Sequence, residues 1–331
     1  MERRNFLNTL FSASLGVGFY RFNTPDAVKV TVLQKASFSV DDNKVSFFLK
    51  ELTAPVKIIQ ISDTHLWMDD ERGDPFREYS QRMAKAYNVT KHFRTGEDTN
   101  PAKCFEETLE LAYSNKADLI ALTGDIFSFP SEAAIEWALE KLEKAGIPYV
   151  YVSGNHDWHY EGMKGSSQEL RETWIKKRLM KLSQGNDPMM AAYMVKGIKV
   201  LTIDNSTYEI LPEQLGFFRK HEREETPFIL MMHIPIYAPG RNYGVGDPLW
   251  GASKDRGYEV ERREKWPEQG HSKVTIDFYN ELLSSTRLMG IFAGHIHKQY
   301  FDMVQGIPQF VANANATGAY TEINFSNLTG A

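Results

Sequence analysis

Carboxylates, imidazoles and one amide gather at a few short places in this sequence, each directly after an apolar run. Asp63 and His65 stand two apart in "ISDTHL", Asp125 follows Gly124 in "LTGDI", and Asn155, His156 and Asp157 fill the end of "SGNHD". His233 closes "FILMMH", and His295 and His297 sit in "FAGHIH". The carboxylates of Asp63 and Asp125, the amide of Asn155 and the imidazoles of His65, His233, His295 and His297 are the ligand types of borderline first-row divalent metals. A lone aspartate after a strand is ordinarily a cap or a turn former, and a lone strand-end histidine is ordinarily a structural group. An orderly series of such places points instead to one shared site, because a motif gains force from the context it predicts.

The elements that must position these residues alternate in type. Near-continuous apolar runs at "VKIIQIS", "DLIALTG", "IPYVYVSG", "PFILMMH" and "LMGIFAG" read as strands covered on both faces. Between them, "FEETLELAYSNKA" sets Phe105, Leu109 and Ala112 on one helical face. "SEAAIEWALEKLEKAG" does the same for Ile135, Ala138, Leu139 and Leu142, with Ser131 as N-cap and Gly146 as stop. "TWIKKRLMKL" and "TIDFYNELL" carry the same period. Strand alternating with helix predicts a layered α/β domain, in which ligands collect beyond the carboxyl ends of the strands. In extended chain Asp63 and His65 would point the same way, as would His295 and His297. An early hairpin, "VKVTVL" and "KVSFFLK" about Asp41-Asp42-Asn43, and closing strands in "KQYFDMVQG", "IPQFVANAN" and "YTEINFS" imply two sheets with helices outside.

Composition bounds the rest. The 331 residues are 42% hydrophobic and 24% charged, as in a soluble globular protein with an ample core. A net charge of -5 argues against binding nucleic acid through a broad basic face. The single cysteine, Cys104, excludes an internal disulfide framework and a thiolate metal cluster. Residues 1–26 form a signal-like segment: Arg3-Arg4 precedes a stretch from Leu7 to Tyr20 too short and too broken by Ser and Gly to span a bilayer. "RRNFL" resembles a twin-arginine export signal, which implies an extracytoplasmic location, with the cytoplasm as the alternative. Residues 27–331 read as one domain without repeats or linkers. His92 and His159 lie outside the pattern and read as ordinary loop histidines, and Asn205-Ser206-Thr207 is too short a triplet to signify a glycan acceptor.

The series Asp-x-His, Gly-Asp, Gly-Asn-His-Asp, His, Gly-His-x-His, running from residue 63 to 297, resembles the calcineurin-like metallophosphoesterases. The resemblance implies a four-layer α/β/β/α sandwich, two mixed β-sheets flanked by helices, with a dinuclear metal site at one edge. It implies that Asp63, His65 and His297 hold one metal and Asn155, His233 and His295 the other, with Asp125 bridging both. Two divalent ions, Mn, Fe or Zn, bring about +4 against about -3 from Asp63, Asp125 and a bridging hydroxide, which favours an anionic phosphoryl group. That hydroxide is the implied nucleophile and His156 the implied general acid for the leaving group. Asp157 would orient His156 or tie down its loop.

Departures from sub-families narrow the substrate. The arginines and second aspartate of the protein serine/threonine phosphatases are missing, and Ser128 stands where purple acid phosphatases carry tyrosine. The sequence is more similar to the branch containing cyclic-nucleotide phosphodiesterases, which implies a small-molecule phosphate ester, diester or monoester. Two insertions would choose it: residues 66–103, with a helix from Phe76 to Phe93, and residues 236–271. The second carries Tyr237, Tyr243, Trp250, Tyr258 and Trp266 beside Arg241, Lys254 and Arg256, suited to a base or sugar bearing phosphate. The alternatives are a metal-dependent nuclease, for which only Arg262, Arg263 and Lys265 offer a basic cluster, and a non-catalytic scaffold.

Overall fold

A computed structural model describes residues 37–224, 226–240, 244–247 and 270–328. They belong to one compact unit, Lys35–Ala331. The signal-like segment, "VKVTVL", the basic cluster and all the named aromatics and cations of the second insertion except Tyr237 lie outside the described residues.

The near-continuous apolar runs form strands. They are β3 (Val56–Ile61), β6 (Leu119–Thr123), β7 (Tyr149–Val152), β10 (Phe228–Met231) and β11 (Leu288–Ala293). One six-stranded sheet runs β1-β2-β14-β3-β6-β7, where β1 is Ser37–Asp41, β2 Lys44–Leu49 and β14 Thr321–Asn327. The other runs β12-β13-β11-β10-β9-β8, where β8 is Met190–Val195, β9 Ile198–Ile203, β12 Tyr300–Val304 and β13 Ile307–Val311. Both sheets are mixed: β3, β6 and β7 are parallel with β14 antiparallel to β3, while β9, β10, β11 and β13 are parallel with β8 and β12 antiparallel at the edges. The early hairpin pairs Ser37–Asp41, not "VKVTVL", with the second strand. A short ribbon, β4 (Thr90–Lys91) and β5 (Asp98–Thr99), stands apart.

Strand periodicity explains the layers. Ile58, Leu119 and Val150 pack between the sheets against Ile229, Met231 and Phe292. Their neighbours Ile59, Ile61, Ile120 and Leu122 point the other way, onto Phe105, Leu109, Ile135 and Leu142 of α2 (Pro101–Ser114) and α3 (Glu132–Ala145). The far face of the second sheet, with Leu201, Leu230 and Ile291, packs on Leu215, Phe218, Phe278 and Leu282. Those side chains come from α5 (Pro212–Arg223) and α6 (Lys273–Leu283). The result is the expected α/β/β/α order.

Caps set several boundaries as read. Ser131 Oγ accepts from Ala134 N, and Gly146 closes α3 at φ +65. "TWIKKRLMKL" divides into the end of α4 (Ser167–Lys177) and a 3-10 turn at Leu179–Ser183. The helix expected from Phe76 to Phe93 is a correction. It is α1, Arg77–Ala86, preceded by a 3-10 turn, and it stops where Tyr87 leaves helical geometry to pack on His65.

Candidate metal centre

All the strands named for the site end at one edge, and buried hydrogen bonds hold those ends in register. Gln60 Nε2 donates to Thr123 Oγ1 and to Ala293 O, both at 3.0 Å, so one side chain spans both sheets. Asp63 N donates to Gly124 O and His65 N to Asp125 O, at 3.0 and 2.9 Å, while Gly294 N donates to His233 O at 2.8 Å. Two glycines permit the closeness. A Cβ on Gly124, at φ +86, would stand 2.6 Å from Gly154 N and from His233 Nδ1. One on Gly154 would overlap the backbone nitrogen and carboxylate of Asp125.

The candidate ligands lie beyond the strands rather than in extended chain, which corrects the reason given for their convergence. Asp63, His65, Asp125, His295 and His297 all have positive φ, between 50° and 73°. Left-handed backbone at a residue other than glycine costs about 1–3 kcal/mol and concentrates at functional sites. Here the side chains of each pair come together through left-handed turns past the strand end, and not through the two-residue repeat of extended chain.

Two groups of metal-binding type result. Asp63, His65, Asp125 and His297 place one ligand atom each within 4.8 Å of one another, and so do Asp125, His233 and His295. Asp125 belongs to both. His65 Nε2 lies 3.0 Å from His297 Nε2, and His297 Nε2 lies 3.3 Å from Asp63 Oδ1. In the other half, His233 Nε2 is 3.2 Å from Asp125 Oδ2 and 3.0 Å from Asn155 Oδ1. All seven residues of the expected ligand set are therefore brought together.

Electrostatics fit a cation here. Burial opposes ionisation of Asp63, yet the charge and hydrogen bond of His297, with His233, hold its carboxyl down at about 2. Burial likewise opposes ionisation of Asp125, which His233, His156 and His65 keep well below the carboxylate range. Burial penalises the charged form of His233, but Asp125 and Asp63 raise it to about 10. His65 is pushed well below its usual range by burial and then by His297 and His156. Asp63 and Asp125, 0% and 1% exposed, are held ionised by positive charge on the neighbouring imidazoles, a charge that divalent ions would supply in their place. Converging imidazole nitrogens with a neutral amide offer the donor set through which divalent ions supply it.

His156 and Asp157 separate. His156 N donates to Asp125 Oδ1 at 2.7 Å, and its ring stands 5.0 Å from that of His65, in the wall of a cleft of about 410 Å³. The Asp157 carboxylate accepts from Asp125 N, Phe127 N, Gly154 N and Tyr151 Oη at 2.8–3.1 Å. None of those donors is His156, so of the two roles read for Asp157 its contacts match fastening the loop. Burial and Asp125 raise it to about 7, against the pull of the Gly154 and Phe127 N–H groups.

The cleft includes residues that the sequence pattern left out. Arg82 on α1 pairs with Glu161, and Ala86, Ser128 and His159 complete the wall. His159 thus belongs to the cleft, whereas His92 caps its own turn by accepting from Arg94 N and Thr95 N. Tyr87 stacks on His65 with centroids 4.1 Å apart and planes inclined by 12°. Nothing in the local sequence marks Arg82, Ala86 and Tyr87, because only the approach of the first insertion to the strand ends gives them a site.

A family model described as calcineurin-like phosphoesterase matches residues 56–299. A "Probable cyclic nucleotide phosphodiesterase" of Moraxella catarrhalis (strain BBH18) is 30% identical over 104 residues, 31% of this chain and 28% of that relative's length. Another of Psychrobacter sp. (strain PRwf-1) is 20% identical over 279 residues, 76% of this chain and 73% of that protein. Of solved structures, a dimetal phosphatase of Danio rerio is 11% identical, covering 81% of this chain and 91% of that one, with a TM-score of 0.49. The family match runs from the start of β3 past His297 and so encloses both ligand groups, and this chain belongs to the calcineurin-like phosphoesterases.

Proposed function

We propose that this metallophosphoesterase hydrolyses phosphate esters, diester or monoester, on small molecules. The observation that carries the reading is a pair of ligand groups sharing Asp125 at the floor of a cleft of about 410 Å³. Asp63, His65 and His297 would hold one divalent ion, Mn, Fe or Zn, and Asn155, His233 and His295 the other, with Asp125 common to both. When bound, such a pair polarises phosphoryl oxygens and acidifies a water enough to attack at neutral pH. Asn155 contributes a neutral amide, which limits negative charge where an anion must enter. His156 stands in the wall of the cleft, tied through its backbone to Asp125, and protonates the leaving oxygen from its ring. Asp157 holds that loop. The names of the Moraxella and Psychrobacter relatives favour a cyclic nucleotide as substrate.

Purified protein loaded with Mn²⁺ is expected to cleave bis-p-nitrophenyl phosphate, p-nitrophenyl phosphate or a cyclic nucleotide. Two bound metals without turnover of any of them would sink the reading. Export belongs to the same proposal: Arg3-Arg4 replaced by Lys-Lys should trap the protein in the cytoplasm, and unchanged localisation would remove the signal.

A further inference from the structure

Asn205-Ser206-Thr207 is not a surface triplet, since Asn205 and Ser206 are both 0% exposed. It follows β9, a further parallel strand whose carboxyl end reaches the site beside β10. Asn205 Oδ1 accepts from His233 N at 3.2 Å and Ile234 N at 3.0 Å, and its Nδ2 donates to Ile234 O at 2.6 Å. Asp204 Oδ1 accepts from Ser206 N and Oγ at 2.8 and 2.5 Å. Trp158 Nε1 donates to Ser206 Oγ at 2.8 Å, and Gln214 Nε2 donates to Asp204 O at 2.6 Å. The segment is therefore gripped from several elements, and it ends on Tyr208.

Tyr208 is 3% exposed and has φ +64. A bulky residue in left-handed backbone is a genuine outlier, and such strain persists where the surroundings over-determine it, commonly beside a functional group. The phenol oxygen lies 2.6 Å from His295 Nε2, with the rings 5.5 Å apart and inclined by 80°.

We propose that Tyr208 is a positioning residue for the half of the centre formed by Asn155, His233 and His295. Its oxygen accepts from His295 Nε2–H, which fixes the tautomer that leaves Nδ1 as the ligand nitrogen. The inference rests on the reading of His295 as a metal ligand. A ligating imidazole commonly donates its other N–H to an oxygen, which sets the ring's orientation and raises its basicity. A phenol can accept that bond while adding no charge to a site built for an anion. The same segment fastens the His233 backbone through Asn205, so it supports two ligands of one metal position.

The test is metal titration against a chromophoric chelator, with Mn²⁺ or Zn²⁺, on wild type, Tyr208→Phe and His295→Ala. Wild type should bind two ions and His295→Ala should lose one. Tyr208→Phe should keep one ion at wild-type affinity and bind the other about 10–100-fold more weakly. Its metal-free melting temperature should stay close to wild type, and excess metal should restore its turnover. Two ions at wild-type affinity in Tyr208→Phe, with one lost in His295→Ala, would overturn the role of Tyr208 and leave the ligand reading intact. Both ions unaffected in His295→Ala would overturn that reading and this inference with it. Equal weakening of both ions with a lower melting temperature would assign Tyr208 to packing alone.

Discussion

Replacing His156 by Ala removes an imidazole while leaving the backbone bond from residue 156 to Asp125 in place. Turnover of esters with poor leaving groups, such as alkyl or ribose oxygens, should fall about 10²–10⁴-fold. Turnover of p-nitrophenyl esters should fall far less, because that leaving group departs without a proton, and metal content should be unchanged. Equal losses on both substrate classes would remove His156 from proton donation. Its neighbour behaves differently. Asp157→Asn can keep the bonds to Asp125 N, Gly154 N and Tyr151 but must set an amide N–H against Phe127 N–H, or the converse. A buried donor left unsatisfied costs about 1–3 kcal/mol, which thermal unfolding of the metal-free protein should register as a lower melting temperature. An unchanged melting temperature would show that the loop holds without this carboxylate.

Elements decide how the two insertions meet the site. α1 stops at Ala86 so that Tyr87 can stack on His65, and no helical period forecasts a stop imposed by a partner elsewhere in the chain. At the other insertion, Glu209 joins the segment after β9 to the start of α6. Its carboxylate accepts from Ser272 N at 3.1 Å and from Thr275 Oγ1, and lies 3.0 Å from His271 Nδ1. Burial pushes this carboxyl up, but those bonds outweigh it and hold it below its ordinary 4.5. A depressed acid contributes stability above its unfolded pKa and loses it as pH falls through the folded value. The metal-free protein should therefore lose melting temperature as pH drops below about 4.5, and Glu209→Gln should melt lower at pH 6 with a flatter acid slope. Parallel pH profiles for the two proteins would count against the clamp.

At the scale of the whole molecule, the centre ties strand ends from both sheets, with Gln60 donating to Ala293 O and His295 N donating to the Asp63 carboxylate between them. Metal should therefore stabilise the fold globally, by about 2.7 kcal/mol when free metal stands at a hundred times its Kd. Chelation should lower the melting temperature of wild type, and Asp125→Ala should show no response to metal or chelator. A wild-type melting temperature indifferent to chelation would argue against metal bound at this edge. No helix among the described residues is long and apolar enough to cross a membrane.

Residue type and apolar patterning by themselves determined the strand ends, the gathering there of Asp63, His65, Asp125, Asn155, His233, His295 and His297 as groups of ligand type, and the layered architecture. These are legible because a doubly covered strand must be apolar along its length and a metal set must be written in a few ligand types. Only the tertiary structure decided the rest. Asp63, His65, Asp125, His295 and His297 turn inward through left-handed backbone beyond the strands, the Asp157 carboxylate accepts from its loop's N–H groups, and His159 and Tyr87 join the cleft from separate loops. β8, β9 and α5 carried no chemistry-bearing motif to draw attention, and through them Tyr208 comes to stand beside His295. Periodicity is a local property of the chain, whereas a contact between residues 208 and 295 exists only once the sheet has brought their strand ends together.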